Sequence, residues 1–175
     1  VWLPVPALQT DYQRALGNVI AGNATSAEIV TDKASGAQYL HARFEGGGTP
    51  ELTLTSQFET RGRRTDWNNP RNVTEDPAVL AAALRPSGNK PLDGVMARTA
   101  AEITKGATSD LDKVRAIYAW IVSNCYRNLD TPGCGPGDAV ATLTSAGMGG
   151  KCADLNGLFV ALSRASGVPA RDVYG

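Results

Sequence analysis

The stretch Gly149-Gly150-Lys151-Cys152-Ala153-Asp154-Leu155-Asn156 constrains this chain more than any other. Two glycines and a lysine lead into a cysteine, and the apolar run that follows, Leu155 to Ala165, reads as a helix. A thiol at a helix start faces the unpaired N–H groups of the first turn and the positive end of the helix dipole. Both favour thiolate over thiol, and Lys151 adds positive charge. Gly149 and Gly150 carry no side chains, so a substrate backbone is expected to approach the sulfur closely. Cys152 is therefore the candidate nucleophile, set against the plainer reading of a small core cysteine that opens a helix by chance.

A chain of 175 residues suits one domain or one and a half, and an apolar share of 42% is ample for a core. Basic and acidic residues balance at 17 each, with no basic stripe, which argues against a nucleic-acid partner. No apolar run approaches the length of a membrane span. The three cysteines are too few for a disulfide scaffold. No CxxC pair occurs and the single histidine, His41, is remote in sequence, so neither a zinc site nor any cofactor is expected. The chain opens in mid-pattern at Val1-Trp2-Leu3-Pro4-Val5 without a methionine, as removal of an export signal would leave it. A periplasmic or otherwise exported location is the resulting expectation.

The fold class expected is α+β, with a β-rich domain over residues 1–70 and a helical core part over 71–175. The candidate strands are Tyr12 to Ile20, Ala27 to Thr31, Ala37 to Phe44 and Glu51 to Thr60; the last alternates apolar with polar residues. Gly22-Asn23, Ala34-Ser35-Gly36 and Gly46-Gly47-Gly48 supply turns. His41 falls in the third strand and is read as a solvated or core side chain. Arg61 to Pro70 reads as a solvated linker, with a binding surface as the alternative for its three arginines.

From Asp76 the period becomes helical. Asp76-Pro77 is a helix start, and the short helix runs from Ala78 to Leu84. A second covers Val95 to Lys105 and stops at Gly106. In a third, capped by Ser109, Leu111, Val114, Ile117, Tyr118, Ile121, Val122 and Cys125 share one stripe. Tyr118 and Trp120 are expected in the core, with a pocket as the alternative. The loop Thr131-Pro132-Gly133-Cys134-Gly135-Pro136-Gly137-Asp138 turns sharply into a short helix, Ala139 to Ala146, for which Asp138 would be the N-cap. The cysteine helix stops at Ser166-Gly167, and 168–174 is expected to be a strand.

The segment from Asp112 to Gly175 resembles the core of transglutaminase-like proteins, a branch of the papain-like cysteine enzymes. The resemblance is carried by four blocks. They are the helix Lys113 to Val122, the loop Gly133-Cys134-Gly135-Pro136-Gly137-Asp138, the run Gly150-Lys151-Cys152-Ala153-Asp154-Leu155-Asn156, and Gly167-Val168-Pro169-Ala170-Arg171. The loop resembles a bacterial subgroup that is often exported. The resemblance implies a Cys-His-Asp triad in which a thiolate attacks a glutamine-type amide or a peptide carbonyl and passes the acyl group to an amine or water. Cys152 matches the nucleophile, and its own backbone N–H would be an oxyanion donor. The histidine and aspartate would follow the Val-Pro-Ala-Arg segment and do not occur in this sequence; His41 precedes the nucleophile and does not match. The calcium dependence of some relatives has no supporting acidic cluster here.

Three readings follow. The first is a thiol enzyme acting on proteins or peptides, present as a truncated piece inactive by itself. The second is a binding or scaffolding module on the same fold. In the third, Cys152 is a redox or structural cysteine. Asp154 and Asn156 either orient the cysteine or, for Asp154, only complement the dipole; Lys151, Gly150, Asp138 and Cys134 are supporting candidates. Cys125 and Cys134, nine apart, could pair; they could remain free thiols; or Cys134 could reach Cys152 and switch it by oxidation. Self-association through the truncated end is also expected.

Overall fold

A computed structural model describes residues 1–33, 35–64, 66, 69 and 73–173. Parts of two expectations therefore lie outside the described residues: Ala34 of one turn, and Thr65, Trp67, Asn68 and Pro70 of the linker. The chain divides into two compact units, Val1–Arg71 and Asn72–Gly175.

The first unit is built of antiparallel strands. β1 (Trp2–Val5), β4 (Gln38–Arg43) and β3 (Ser26–Thr31) form one sheet in the order β1-β4-β3. β2 (Gln13–Gly22) pairs with β5 (Leu52–Thr60), with a register shift between Ala15 and Gly17. The alternation of β4 sorts its residues: Leu40 and Ala42 are buried, while His41 points to the other face. There His41 stacks on Trp2, its partner across β1, with ring centroids 4.1 Å apart. Its Nδ1 is 3.8 Å from Glu28, its partner across β3. The histidine is thus held by cross-strand neighbours inside this sheet. β1 is absent from the expected strands because Pro4 interrupts it; as an edge strand it tolerates the missing donor.

The second unit packs helices around one central helix. α1 (Pro77–Ala83) is capped by Asp76, whose carboxylate accepts the Ala78 N–H. α2 (Gly94–Ile103), α3 (Asp110–Asn124) and α4 (Ala139–Thr144) surround α5 (Cys152–Ala165). Met96 and Ala100 from α2, Ile117 from α3, Ala139 from α4, and Leu158, Ala161 and Leu162 from α5 make the core. α5 is buried on most of its circumference, as a helix enclosed by three others should be.

Two expectations are corrected here. On α3, Ile117 is buried and Trp120, Ile121 and Cys125 pack on the core, but Tyr118 and Val122 are each 63% exposed. Those two lie about a hundred degrees around the helix from the buried line, beyond the width that α2 and α5 cover. Residues 168–173 form no regular strand. Their backbone bonds go elsewhere: Ala170 donates its N–H to the Ala83 carbonyl at 3.1 Å and accepts from Arg164 Nε at 2.7 Å. A strand needs a strand beside it, and among the described residues none is. Tyr174 lies outside them.

Candidate active site

Two short strands bring the nucleophile into place. β6 (Tyr126–Arg127) follows α3 directly and pairs in parallel with β7 (Gly149–Gly150), and the Asn128 N–H adds a bond to the Gly150 carbonyl at 2.9 Å. The backbone stays extended through Lys151, and α5 begins at Cys152. The Cys152 side chain is exposed.

Asp154 holds this helix start. Its carboxylate is buried and accepts the Lys151 N–H through one oxygen and the Gly137 N–H through the other, both at 2.9 Å. The first bond is half of a capping box, made across the turn where Lys151 has no acceptor of its own. The second moors the glycine loop to the helix. A third bond joins the same parts: the Ala153 N–H donates to the Cys134 carbonyl at 2.9 Å.

These bonds give the glycines a further reason. A β-carbon on Gly150 would sit 2.5 Å from Cβ of Asp154, and one on Gly135 would strike the Asp154 carboxylate. One on Gly149 would strike the Tyr126 ring. The small residues before Cys152 make room for the protein's own side chains, a demand additional to the expected approach of a substrate backbone.

The remaining candidates separate by what they touch. Asn156 donates to the Cys152 carbonyl at 2.8 Å from an exposed position. Asp138 caps α4 by accepting the Ala141 N–H at 2.9 Å. Cys134 lies beside Cys152: the Cys152 Sγ is 3.8 Å from the Cys134 carbonyl oxygen. That neighbour pushes the Cys134 thiol above its ordinary pKa, first as hydrogen-bond partner and then as a nearby charge; the opposing pull of Lys151 is smaller. Burial pushes the Cys125 thiol up. All three cysteines are free, so Cys125 and Cys134 form no disulfide.

Three residues with structural parts in the site were not among the candidates. Asn89 donates to the Gly137 carbonyl at 2.8 Å, and its own carbonyl accepts the Ala139 N–H at 3.0 Å. Lys90 is 4% exposed; its Nζ is 3.2 Å from Asp172 and its chain passes Gly157, where a β-carbon would lie 3.3 Å from Cε. Tyr126 fills the space left by Gly147 and Gly149. Only the turn composition of Ser87-Gly88-Asn89 could have hinted at the first two. A cleft of about 380 Å³ is lined by Val95, Thr99, Glu102, Ile103, Trp120, Leu143 and Met148, so Trp120 serves both the core and a cleft wall. Among the described residues, no three His, Cys, Asp or Glu side chains gather closely enough to share a metal ion.

The part of the chain that holds this exposed thiol is similar to known proteins. Residues 97–175 match the family model of the transglutaminase-like superfamily. The match falls within the second unit, and the chain as a whole is α+β, with sheets in the first unit and mainly helices in the second. Over its whole length the chain is 29% identical, across 183 aligned residues, to an uncharacterized protein of Haemophilus influenzae, and it spans 49% of that relative. It is also similar to a crystal structure from Cytophaga hutchinsonii, provisionally described as a cysteine protease. The TM-score is 0.71 at 21% identity, covering 96% of this chain and 58% of that one. The chain therefore spans about half the length of the curated relative it matches.

Proposed function

We propose that this chain holds the nucleophile part of a thiol enzyme that cleaves or transfers the acyl group of amide or peptide bonds in proteins or peptides. The observation that carries this reading is the exposed Cys152 at the first position of α5, fixed from behind by Asp154. In the proposed reaction the Cys152 sulfur attacks a carboxamide or peptide carbonyl, the amine or ammonia leaves with a proton, and the thioester then passes to water or an amine. The Cys152 N–H is proposed as an oxyanion donor. Its neighbours are already engaged, Lys151 N–H by Asp154 and Ala153 N–H by the Cys134 carbonyl. The histidine base and its aspartate are proposed to come from residues outside this sequence, because the single histidine, His41, belongs to the other unit and is stacked on Trp2. The fragment alone is then inactive, and an exported location belongs to the same proposal. The second reading, a binding or scaffolding module, is favoured by the engagement of His41 within its own sheet, stacked on Trp2 and 3.8 Å from Glu28.

The test uses the protein at its natural length with an unfolded protein substrate. Ammonia release, incorporation of a primary amine and peptide cleavage are measured side by side, with Cys152→Ala as the comparison. At least one activity is expected in the wild type and none in C152A. Equal behaviour of the two proteins in all three assays overturns the enzyme reading in favour of the module.

A further inference from the structure

We propose that Cys134 and Cys152 are a reversible thiol–disulfide couple, a modification site at which a hydroperoxide closes a bond between the glycine loop and the start of α5. Closure removes the Cys152 sulfur from chemistry, and a thiol reductant restores it. The regulatory consequence rests on the reading of Cys152 as a nucleophile; formation of the bond does not.

Three observations converge on this pair. The backbones are fixed side by side, with the Ala153 N–H on the Cys134 carbonyl at 2.9 Å and the Cys152 Sγ 3.8 Å from that same oxygen. Closure therefore asks for side-chain rotation on two backbones that are already bonded to each other. Both side chains are exposed, so an oxidant and a reductant can reach them. Cys134 stands between Gly133 and Gly135, both in the left-handed region at φ 58° and 88°. The backbone torsions at that turn are therefore set by residues without side chains, and the Cys134 side chain is the one the loop presents to Cys152. Cys125 is partly buried and lies at the end of α3, packed on the core.

The chemistry balances with a hydroperoxide as oxidant. The Cys152 thiolate attacks the O–O bond; an S–O bond forms, the O–O bond breaks, and an alcohol (water, for hydrogen peroxide) leaves, giving a sulfenic acid. Cys134 then attacks the Cys152 sulfur. The S–S bond forms, the S–O bond breaks, and the departing hydroxide takes the Cys134 proton as water. Two thiols and one hydroperoxide thus yield one disulfide, one alcohol and one water. The raised pKa of Cys134 agrees with this order, since it keeps Cys134 as the protonated, second-acting member.

The sequence supplies a direct assay. Trypsin cleaves after Arg127, Lys151 and Arg164, so Cys134 and Cys152 fall in separate peptides, 128–151 and 152–164, and Cys125 in a third. The protein is treated with hydrogen peroxide near one equivalent, digested without reduction and mapped by mass spectrometry. Peptides 128–151 and 152–164 are expected joined, two hydrogens lighter than their sum, and separated again by dithiothreitol. In Cys134→Ser the sulfenic acid on Cys152 is expected to persist, so that dimedone, added with the peroxide, labels Cys152 at least tenfold more than in wild type as an adduct that dithiothreitol does not remove. A wild-type map in which Cys152 advances to sulfinic acid while Cys134 still alkylates overturns the proposal, as does a link formed through Cys125. The map reads wild-type protein, so it stands even if C134S fails to fold. It is also independent of the activity assays: failure of those with the link present removes the enzyme reading and leaves the couple intact.

Discussion

Gly135 occupies the one backbone position of its loop from which any side chain would enter the volume of the Asp154 carboxylate. It also holds φ at 88°, so two separate demands, space and a left-handed backbone, meet at one residue. The glycine loop and the cysteine helix are therefore complementary surfaces, and neither sequence motif makes structural sense without the other.

Three glycine-to-alanine variants should grade accordingly. Gly88→Ala has open space and no left-handed requirement, and is expected to stay within about 0.5 kcal/mol of wild type. Gly133→Ala has open space at φ 58° and should lose about 1 kcal/mol. Gly135→Ala meets both penalties and should lose about 2 kcal/mol or more. Urea unfolding read by circular dichroism checks the order; equal midpoints for G133A and G135A would remove the collision from the account.

Asp154→Asn should cost about 1–3 kcal/mol, because the amide can accept only one of the two buried N–H bonds and turns a donor toward the other. The helix start then loses its tie to the glycine loop. The alkylation rate of Cys152 should accordingly change, while Cys125, at the end of α3, keeps its own. Peptide-resolved iodoacetamide kinetics provide the comparison, and a variant with unchanged stability and unchanged rates would show that the carboxylate does not position the sulfur.

Lys90 and Asp172 form a pair in which the cation is almost wholly enclosed. Asp172→Ala leaves that ammonium unpaired and is expected to cost about 3 kcal/mol. Lys90→Met keeps the alkyl packing against Gly157 and strands only the less enclosed carboxylate, so it should cost about 1–2 kcal/mol. The double variant should be more stable than D172A alone. A double-mutant cycle by chemical denaturation measures the coupling, and additive losses would mean that the two charges do not sense each other.

Asp112 contributes a pH dependence of defined sign. Hydrogen bonds from the Ser109 and Thr108 side chains hold its carboxyl below 3.8, with the Ser109 backbone and Arg115 assisting and desolvation opposing. A folded-state pKa below the unfolded one means that the unfolded chain binds more protons at acid pH. The contribution is therefore full above about pH 5 and is lost as pH falls through 3.8 and then through the folded value. Thermal melts of wild type and Asp112→Asn should differ most near neutrality and converge as the pH is taken below that window. A gap that widens in acid would reverse the assignment.

Much of this architecture is readable from residue patterns, and the parts that are not share a cause. The strands Gln13–Gly22 and Leu52–Thr60, the caps Asp76, Ser109 and Asp138, and the helix stop at Gly167 follow from local chemistry, because each is decided within a few residues. The start of α5 at Cys152 is legible for the same reason. What escapes is decided by distant partners. β6 and β7 are two residues long and exist only through each other. Asn89 and Lys90 gain meaning only when Gly137, Gly157 and Asp172 are beside them. Tyr118 matches the apolar stripe of its helix, yet among the described residues no neighbour covers it. The contact of Gly150 with Asp154 is likewise hidden, because a glycine records that space is needed without recording who uses it.

The bonds that seat the sulfur are short in sequence. Gly137 and Asp154 are 17 residues apart, and Cys134 and Cys152 are 18 apart. Loops of this length close at little entropic cost and early in folding. On a ribosome, the turn that presents the thiol can assemble as soon as α5 has emerged. Its ties are written into one short stretch of sequence, so the reactive corner can be inherited as a cassette.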